Sequence, residues 1–152
     1  MKRILALVFF VAALAITGSA QFKFGAGVGL LEGRFGVQAK AHNTFTEDFA
    51  GQGSFTYYFE SGATVWSLDL DVHYKGFNIG DVEGFSLAPF AGLNIYRVSV
   101  SAGNFNVGAS ATGLNVGING TLPITDSLDL YIEPKIVIGG AGSFGIAAGV
   151  YF

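Results

Sequence analysis

The end of this chain alternates strictly between two kinds of side chain, which constrains the fold more than any other feature. Every second residue from Phe144 to Phe152 is apolar, and the residues between them are glycine, alanine and Tyr151. Successive side chains of a β-strand point to opposite faces, so this pattern predicts a strand with one wholly apolar face. No helical period competes with it after residue 21.

The first twenty residues have the pattern of a cleaved signal peptide. Lys2 and Arg3 form a short basic start, an apolar run follows over residues 4–16, and Gly18, Ser19 and Ala20 are small residues suited to cleavage. The run is too short for a retained membrane helix. We therefore expect a signal peptide at 1–20 and one mature domain at 21–152.

Seven further segments of the mature chain show the same alternation. Their apolar faces run over residues 22–30, 35–41, 55–59, 66–74, 87–95, 114–122 and 128–138. Turn-forming pairs such as Glu32-Gly33 and Ser61-Gly62 separate them. Eight units of about 16 residues each fit membrane strands of about 9–11 residues with a connection.

The composition favours a membrane protein built from strands. Charged residues make up only 12% of the chain, against about 25% in an ordinary soluble domain. The mature part has no apolar run of about 20 residues, so a closed sheet is the remaining way to span a bilayer. The sequence thus predicts an all-β protein, an eight-stranded antiparallel up-and-down transmembrane β-barrel.

A soluble barrel of the lipocalin kind is the main alternative, because it shows the same alternation with the apolar face inward. The polar faces here are rich in Gly, Ser and Asn, which suit a crowded interior better than a water-facing surface. Aromatic residues lie near the ends of the apolar faces, as in an interfacial girdle. These residues are Phe22, Phe24, Phe59, Trp66, Tyr74, Phe144 and Phe152. Both observations favour the membrane barrel.

The chain resembles the small eight-stranded outer-membrane β-barrel proteins, of the OmpA/OmpX-like kind common in Bacteroidota. The resemblance covers the mature chain and is carried by residues 21–25, 89–94, 123–130 and 150–152. It implies a Gram-negative outer membrane, contact with outer-membrane lipid, and assembly by the barrel-insertion machinery. In that family the terminal strand, here with Val150 and Phe152, is the insertion signal. We expect a monomer.

The even strand number places both chain termini on the periplasmic side. The connections predicted to be periplasmic are 43–50, 75–84 and 123–127, and those predicted to lie outside are 31–33, 60–63, 99–108 and 139–143. Only the 99–108 loop is long enough for an outer contact, through Asn104, Phe105 and Asn106. Pro89 and Pro134 each remove a ladder donor, which predicts bulges or a shifted register.

The inward face carries balanced charge. Its charged residues are Lys23, Arg34, Lys40, Lys135, Asp69, Asp71, Asp129 and Glu133. Because a buried unpaired charge is costly, we interpret these as a plug of ion pairs. The interior of an eight-stranded barrel is just wide enough for side chains to fill. Glycines on the first, sixth and eighth segments leave room for Tyr131 and the charged side chains. The alternative is a narrow polar path lined by Asp69, Asp71, Glu133 and Arg34.

The sequence gives little support for catalytic activity or for the binding of a cofactor or nucleic acid. Ser67, Asp71 and His73 share one strand face, but neighbours at this spacing lie about 7 Å apart, too far for a relay. No metal-ligand spacing is present, and the chain has no cysteine. Removing Lys2 and Arg3 from the eight basic residues leaves six against eleven acidic ones, which disfavours nucleic acid.

The sequence therefore predicts a non-enzymatic outer-membrane barrel with a mostly filled polar lumen and a structural role in the envelope. One alternative is a narrow pore for ions or small polar solutes. Another is recognition of a partner or surface through the 99–108 loop.

Overall fold

The computed structural model describes residues 22–77, 84–102, 105–139 and 143–152. The regular structure of these ranges consists of eight β-strands. They are β1 (Phe22–Leu31), β2 (Arg34–Thr44), β3 (Phe49–Glu60), β4 (Ala63–Tyr74), β5 (Ser86–Ala102), β6 (Phe105–Thr125), β7 (Leu128–Ile138) and β8 (Ser143–Tyr151). No helix in these ranges is long and apolar enough to cross a membrane. The predicted signal peptide lies outside the described residues.

The strands form one closed, antiparallel barrel in which each strand pairs with its neighbours in sequence and β8 pairs with β1. The last residue takes part in the closure. The Phe152 N–H donates to the Phe24 carbonyl at 2.8 Å, and the Phe24 N–H donates to the Phe152 carbonyl at 3.0 Å. The predicted eight-stranded up-and-down barrel is confirmed.

The two ends of the barrel differ in their connections. The terminal mouth carries Phe22, Phe152 and the connections 45–48, 75–85 and 126–127. The distal mouth carries the turns 32–33 and 61–62 and the β5–β6 and β7–β8 connections. At the first of these turns, φ is +52° at Glu32 and +80° at Gly33. Two consecutive positive values are the geometry that a tight two-residue hairpin favours.

The two faces of the sheet differ as the alternation predicts. On β4, Leu70 and Val72 point outward and are 41% and 52% exposed, whereas Asp69 and Asp71 point inward and are 0% and 4% exposed. The other strands follow the same rule. The soluble-barrel alternative required the apolar face to point inward, and the structure contradicts it.

Aromatic rings cluster on the outer surface of the barrel near both mouths. Phe35 and Phe59 stack near the distal mouth, with ring centroids 6.1 Å apart. Near the terminal mouth, the rings of Phe49 and Tyr74 lie 5.4 Å apart. Aromatic side chains placed in this way form the interfacial girdles of membrane barrels.

The prediction of a long loop at 99–108 is wrong, because most of this segment is strand. Val98 pairs with Ala109, Val100 with Val107, and the ladder continues to the pair formed by Ala102 and Phe105. The described pairs between β6 and β7 end at Leu114, so the β5–β6 hairpin projects beyond its neighbour. The segment does alternate, but its apolar residues change face. Val98 and Val100 have the inward parity, opposite to that of Leu93 earlier in β5, so the alternation is interrupted before Val98.

The bulges predicted at the strand prolines are also wrong. Pro89 pairs in register with Ile118 and lies one position beyond the last β4–β5 pair, so a ladder donor toward β4 is not needed there. Opposite Pro134 the β6–β7 pairs are interrupted at Ile118 and Asn119, without a change of register. The register shifts instead between Pro123 and Thr125.

Candidate functional site

The barrel interior is the candidate site, and it consists of four levels. From the terminal mouth to the distal mouth these are an open vestibule, a polar layer, an apolar layer and a rim of ion pairs. Each level takes its side chains from the inward positions of several strands. The chemistry of the interior therefore changes along the barrel axis, although every level has the same backbone geometry.

Two ion pairs form the centre of the polar layer. Lys40 of β2 pairs with Glu133 of β7, and both side chains are almost completely buried. Lys135 pairs with Asp69 at 2.8 Å, again with both side chains buried. Each acid also accepts from amides: Glu133 from Asn119 at 2.9 Å and Asp69 from Asn94 at 2.6 Å. Each charge thus has an opposite partner, and each of these two carboxylates accepts further hydrogen bonds, as burial requires.

The amide side chains complete this network and were not among the predicted site residues. Asn115 donates to Asp69 at 2.9 Å and to Asp71 at 3.0 Å. The Gln52 amide donates to Glu133 at 3.2 Å. Within the described residues Asp71 has no cationic partner, and its Oδ2 atom has no hydrogen bond. The recurrence of Asn and Gln at inward positions was the only sequence signal that pointed to these residues.

Two tyrosines, Tyr131 and Tyr151, fill the space beside the glycine-rich wall. The Tyr131 hydroxyl donates to Gln38 at 3.2 Å, and the Lys40 Nζ lies 4.2 Å from the centre of its ring. A Cβ atom added at Gly27 would lie 2.3 Å from the Tyr131 hydroxyl, and one at Gly149 would lie 2.7 Å from it. Only glycine leaves room for this ring, as the bulk difference between strands predicts.

An apolar layer closes the interior on the distal side of the ion pairs. It consists of the buried residues Leu31, Tyr58, Val65 and Val137, with Tyr96 and Val98 packed against it. The cavity beside this layer has a volume of about 10 Å³, space for a single water molecule. The lumen was predicted to be polar and mostly filled, and the charge pattern did not reveal this apolar layer.

The remaining predicted charges lie at the mouths and do not join the central network. Lys23 pairs with Asp129 at the terminal mouth. Arg34 pairs at the distal mouth with Glu32 at 2.8 Å and Glu60 at 3.1 Å. The eight predicted charges thus divide into three groups, and Arg34 does not approach the acids of the polar layer with which it was expected to line a path.

The vestibule at the terminal mouth has a volume of about 310 Å³. Lys23, Lys75 and Asp129 lie on its wall, and His42 and His73 also line it. Both ring nitrogens of His73 lack a hydrogen-bond partner among the described residues. Because the Ser67 hydroxyl instead contacts Tyr58 at 3.3 Å, Ser67, Asp71 and His73 form no hydrogen-bonded relay. No set of three or more His, Asp or Glu side chains in the described ranges is arranged to hold a metal.

The other predicted residues lie at the barrel ends. Phe152 is exposed on the outer surface and Val150 is half-buried there. In the projecting hairpin, Phe105 pairs with Ala102 and Asn106 pairs with Ser101. Asn104, the third residue of the predicted outer contact, lies outside the described residues.

No protein-family model and no curated protein matches the chain, whereas solved structures with the same fold do. The N-terminal β-barrel domain of Pseudomonas aeruginosa OprF matches with a TM-score of 0.72 and 17% identity over 88% of this chain and 96% of that one. Neisserial surface protein A matches with a TM-score of 0.68 and 17% identity over 88% and 98%. A major outer membrane protein from Thermus thermophilus matches with a TM-score of 0.70 and 14% identity over 89% and 99%.

These three proteins share the architecture of this chain over nearly its whole described length. At identities of 14–17%, the likeness concerns the fold and not the site. The chain has the fold of the small eight-stranded outer-membrane β-barrel proteins, and the resemblance inferred from its sequence is confirmed at that level.

Proposed function

We propose that this chain is a small integral protein of the bacterial outer membrane with a structural role in the envelope and no catalytic activity. The observation that carries the proposal is the filled interior between an apolar exterior and two aromatic girdles. Outer-membrane lipid contacts the exterior, and the barrel-insertion machinery recognises the terminal strand with Val150 and Phe152. The protein acts as a monomer, with both termini in the periplasm.

The filled interior also supports a barrel that does not conduct. A solute entering from the terminal mouth meets the ion pairs of Lys40 and Lys135, and then the apolar layer around Tyr58 and Val65. Passage would require a buried charge to lose its partner and the apolar layer to open at the same time. Each step is costly, so the pore hypothesis requires a second conformation of the interior.

Planar-bilayer recording tests this proposal. The wild-type protein is expected to give no discrete openings. Openings whose conductance changes on Glu133→Gln, but not on Arg34→Gln at the rim, would establish a path through the polar layer and overturn the closed barrel. Heat-modifiable gel migration confirms that each preparation is folded before it is recorded.

Location and orientation have a separate test, because the chain contains no cysteine. Ser61→Cys places a thiol on an exposed turn of the distal mouth, and Thr46→Cys places one on an exposed connection of the terminal mouth. A membrane-impermeant maleimide should label Ser61→Cys in intact cells, and Thr46→Cys only after the outer membrane is permeabilised. The opposite pattern would reverse the orientation, and absence of both variants from the outer-membrane fraction would contradict the location.

A second candidate function is recognition through the β5–β6 hairpin. The hairpin projects beyond β7, and Val107 on it is 72% exposed, the largest exposure among the large apolar side chains of the described residues. Deletion of residues 103–107 should leave the barrel folded, because the paired length of β5 and β6 below it is unchanged. Loss of binding to cells or to an isolated partner would support recognition, whereas unchanged binding would contradict it.

A further inference from the structure

The vestibule of the terminal mouth contains two imidazoles with ring nitrogens that lack hydrogen-bond partners among the described residues. His73 is 1% exposed, and neither of its ring nitrogens has a hydrogen bond among the described residues. The Nδ1 atom of His42 is also buried without a partner. Buried polar atoms are rarely left unpaired in native proteins, so three such atoms in one pocket indicate that water or another ligand from outside the chain binds there.

The topology brings these histidines together from strands that do not pair with each other. His42 lies on β2 opposite Gln52, and His73 lies on β4 opposite Ala50, so β3 separates them. Ala50 fills little of the space between the two imidazoles. Their ring centroids are 5.5 Å apart, with the planes at 83°.

This separation suits two ligands of one metal ion. Metal–nitrogen bonds of about 2.0–2.1 Å place each ring centre about 3 Å from the ion, which puts the two centres about 5 Å apart at a tetrahedral angle. His73 is held by stacking on Phe90, at 4.9 Å between ring centres, and it has a free nitrogen at either ring position. Imidazole nitrogen is a preferred ligand of zinc, copper and nickel.

We propose that His42 and His73 form a two-histidine site for a divalent transition-metal ion on the floor of the vestibule. Two protein ligands leave the other coordination positions to water, and a volume of about 310 Å³ provides space for many water molecules. The ion would bridge β2 and β4 across β3 and stabilise the folded barrel, by an amount that grows with the logarithm of its free concentration above the dissociation constant. The site does not depend on the envelope role proposed above, since it lies outside the closed part of the interior.

A small anion is the competing occupant, because Lys23 and Lys75 line the same vestibule. Both lysines already have partners: Lys23 pairs with Asp129, and the Lys75 ammonium lies 3.4 Å from the Thr44 hydroxyl. The atoms without partners are the imidazole nitrogens, and a metal ion takes the lone pair that a neutral imidazole offers. The observations therefore favour a cation on the histidines.

Zinc titration of the untagged, metal-free barrel in detergent tests the site. The wild-type protein should bind one Zn²⁺ per chain, and His42→Gln and His73→Gln should each weaken binding at least tenfold. The double variant contains no histidine in its mature part and should bind no Zn²⁺ with comparable affinity. Ser86→Ala alters the vestibule wall and leaves both imidazoles in place, so it should bind as the wild type does. Undiminished binding by the double variant would overturn the proposal.

Lys75→Gln separates the two occupants. Removing this positive charge should tighten Zn²⁺ binding, whereas it should weaken binding of inorganic phosphate if the vestibule is an anion site. Phosphate stabilisation that is lost in Lys75→Gln, with no effect of Zn²⁺ on the wild type, would replace the metal site with an anion site. If a histidine variant does not fold, electron paramagnetic resonance of wild-type protein with Cu²⁺ still decides the matter. Coupling to two imidazole nitrogens is expected, and its absence would contradict the site.

Discussion

The same kinds of side chain differ in burial and in ion-pair partners between the middle of the barrel interior and its two ends. Lys40 and Arg34 lie on one face of β2, three inward positions apart, yet the Lys40 side chain is fully buried while that of Arg34 is 35% exposed. Lys40 has one acidic partner held by further hydrogen bonds, whereas Arg34 has two partners, Glu32 and Glu60, that also contact solvent. Depth along the barrel, and not residue type, separates these two basic residues.

The difference shows which charges fix the fold. A buried ion pair tolerates no loss of a partner, because the remaining charge has no water to replace it. When an exposed pair loses one partner, water solvates the remaining charge, so the cost is small. The interior is therefore rigid in the middle and adaptable at the mouths. Four substitutions test this contrast.

The largest effect is expected from Lys40→Met. It leaves Glu133 buried without a cation and should lower the free energy of unfolding by about 3–5 kcal/mol. Urea unfolding in lipid, followed through the fluorescence of Trp66, the only tryptophan, measures the change. The double variant Lys40→Met/Glu133→Gln removes both charges and keeps an acceptor for Gln52 and Asn119, so it should recover at least half of the loss. A single variant as stable as the wild type would show that water reaches this layer.

A charge on the outer face of the same level should have the next largest effect. Leu70 is adjacent to Asp69 in sequence and points outward. Leu70→Arg should cost roughly 2–4 kcal/mol in lipid if this position lies near the bilayer midplane. Leu70→Ala is the control for lost packing alone. Equal stability of the two variants in lipid would mean that the position does not face hydrocarbon.

The apolar layer offers a smaller effect with a second readout. Leu31→Ala removes most of one buried side chain and should cost about 2 kcal/mol, the lower end of the usual range, because neighbours at the mouth have room to relax. The same substitution, combined with Val137→Ala, should allow brief openings in planar-bilayer recording if the apolar layer is the main barrier. A silent double variant would assign the barrier to the ion pairs instead.

The sequence predicted the fold well because facing depends only on parity. Outward positions such as Leu70 and Val116 could be assigned from the alternation without knowledge of any partner strand. Parity failed at the β5–β6 hairpin because the apolar positions change face there. Leu93 points outward, whereas Val98 and Val100 have the inward parity, so the alternation is interrupted although the strand continues. The alternation of the first segment ends at Leu30, because Leu31 is also apolar although it points inward. The sequence therefore predicts a turn at Leu31, which is the last residue of β1.

The sequence predicted which residues line the interior, but not which of them contact one another. Lys40 and Glu133 lie 93 residues apart, and their contact depends on how far the strands are staggered around the barrel, which periodicity does not encode. The same holds for His42 and His73, whose positions in the sequence match no metal-binding spacing, although β3 leaves them adjacent. The sequence showed which face of each strand points inward, but not the level along the barrel axis at which two inward side chains contact each other.

The smallest effect is expected from Arg34→Gln, and it sharpens the contrast most directly. Its two ion pairs are partly exposed, so the substitution should cost less than about 1 kcal/mol. The loss should shrink further in about 0.5 M salt, because solvent ions screen exposed charges, while the loss caused by Lys40→Met should hardly change. Parallel unfolding curves at low and high salt make this comparison. A salt-insensitive loss as large as that of Lys40→Met would mean that the distal mouth is as closed to water as the middle of the barrel, and the distinction between them would fail.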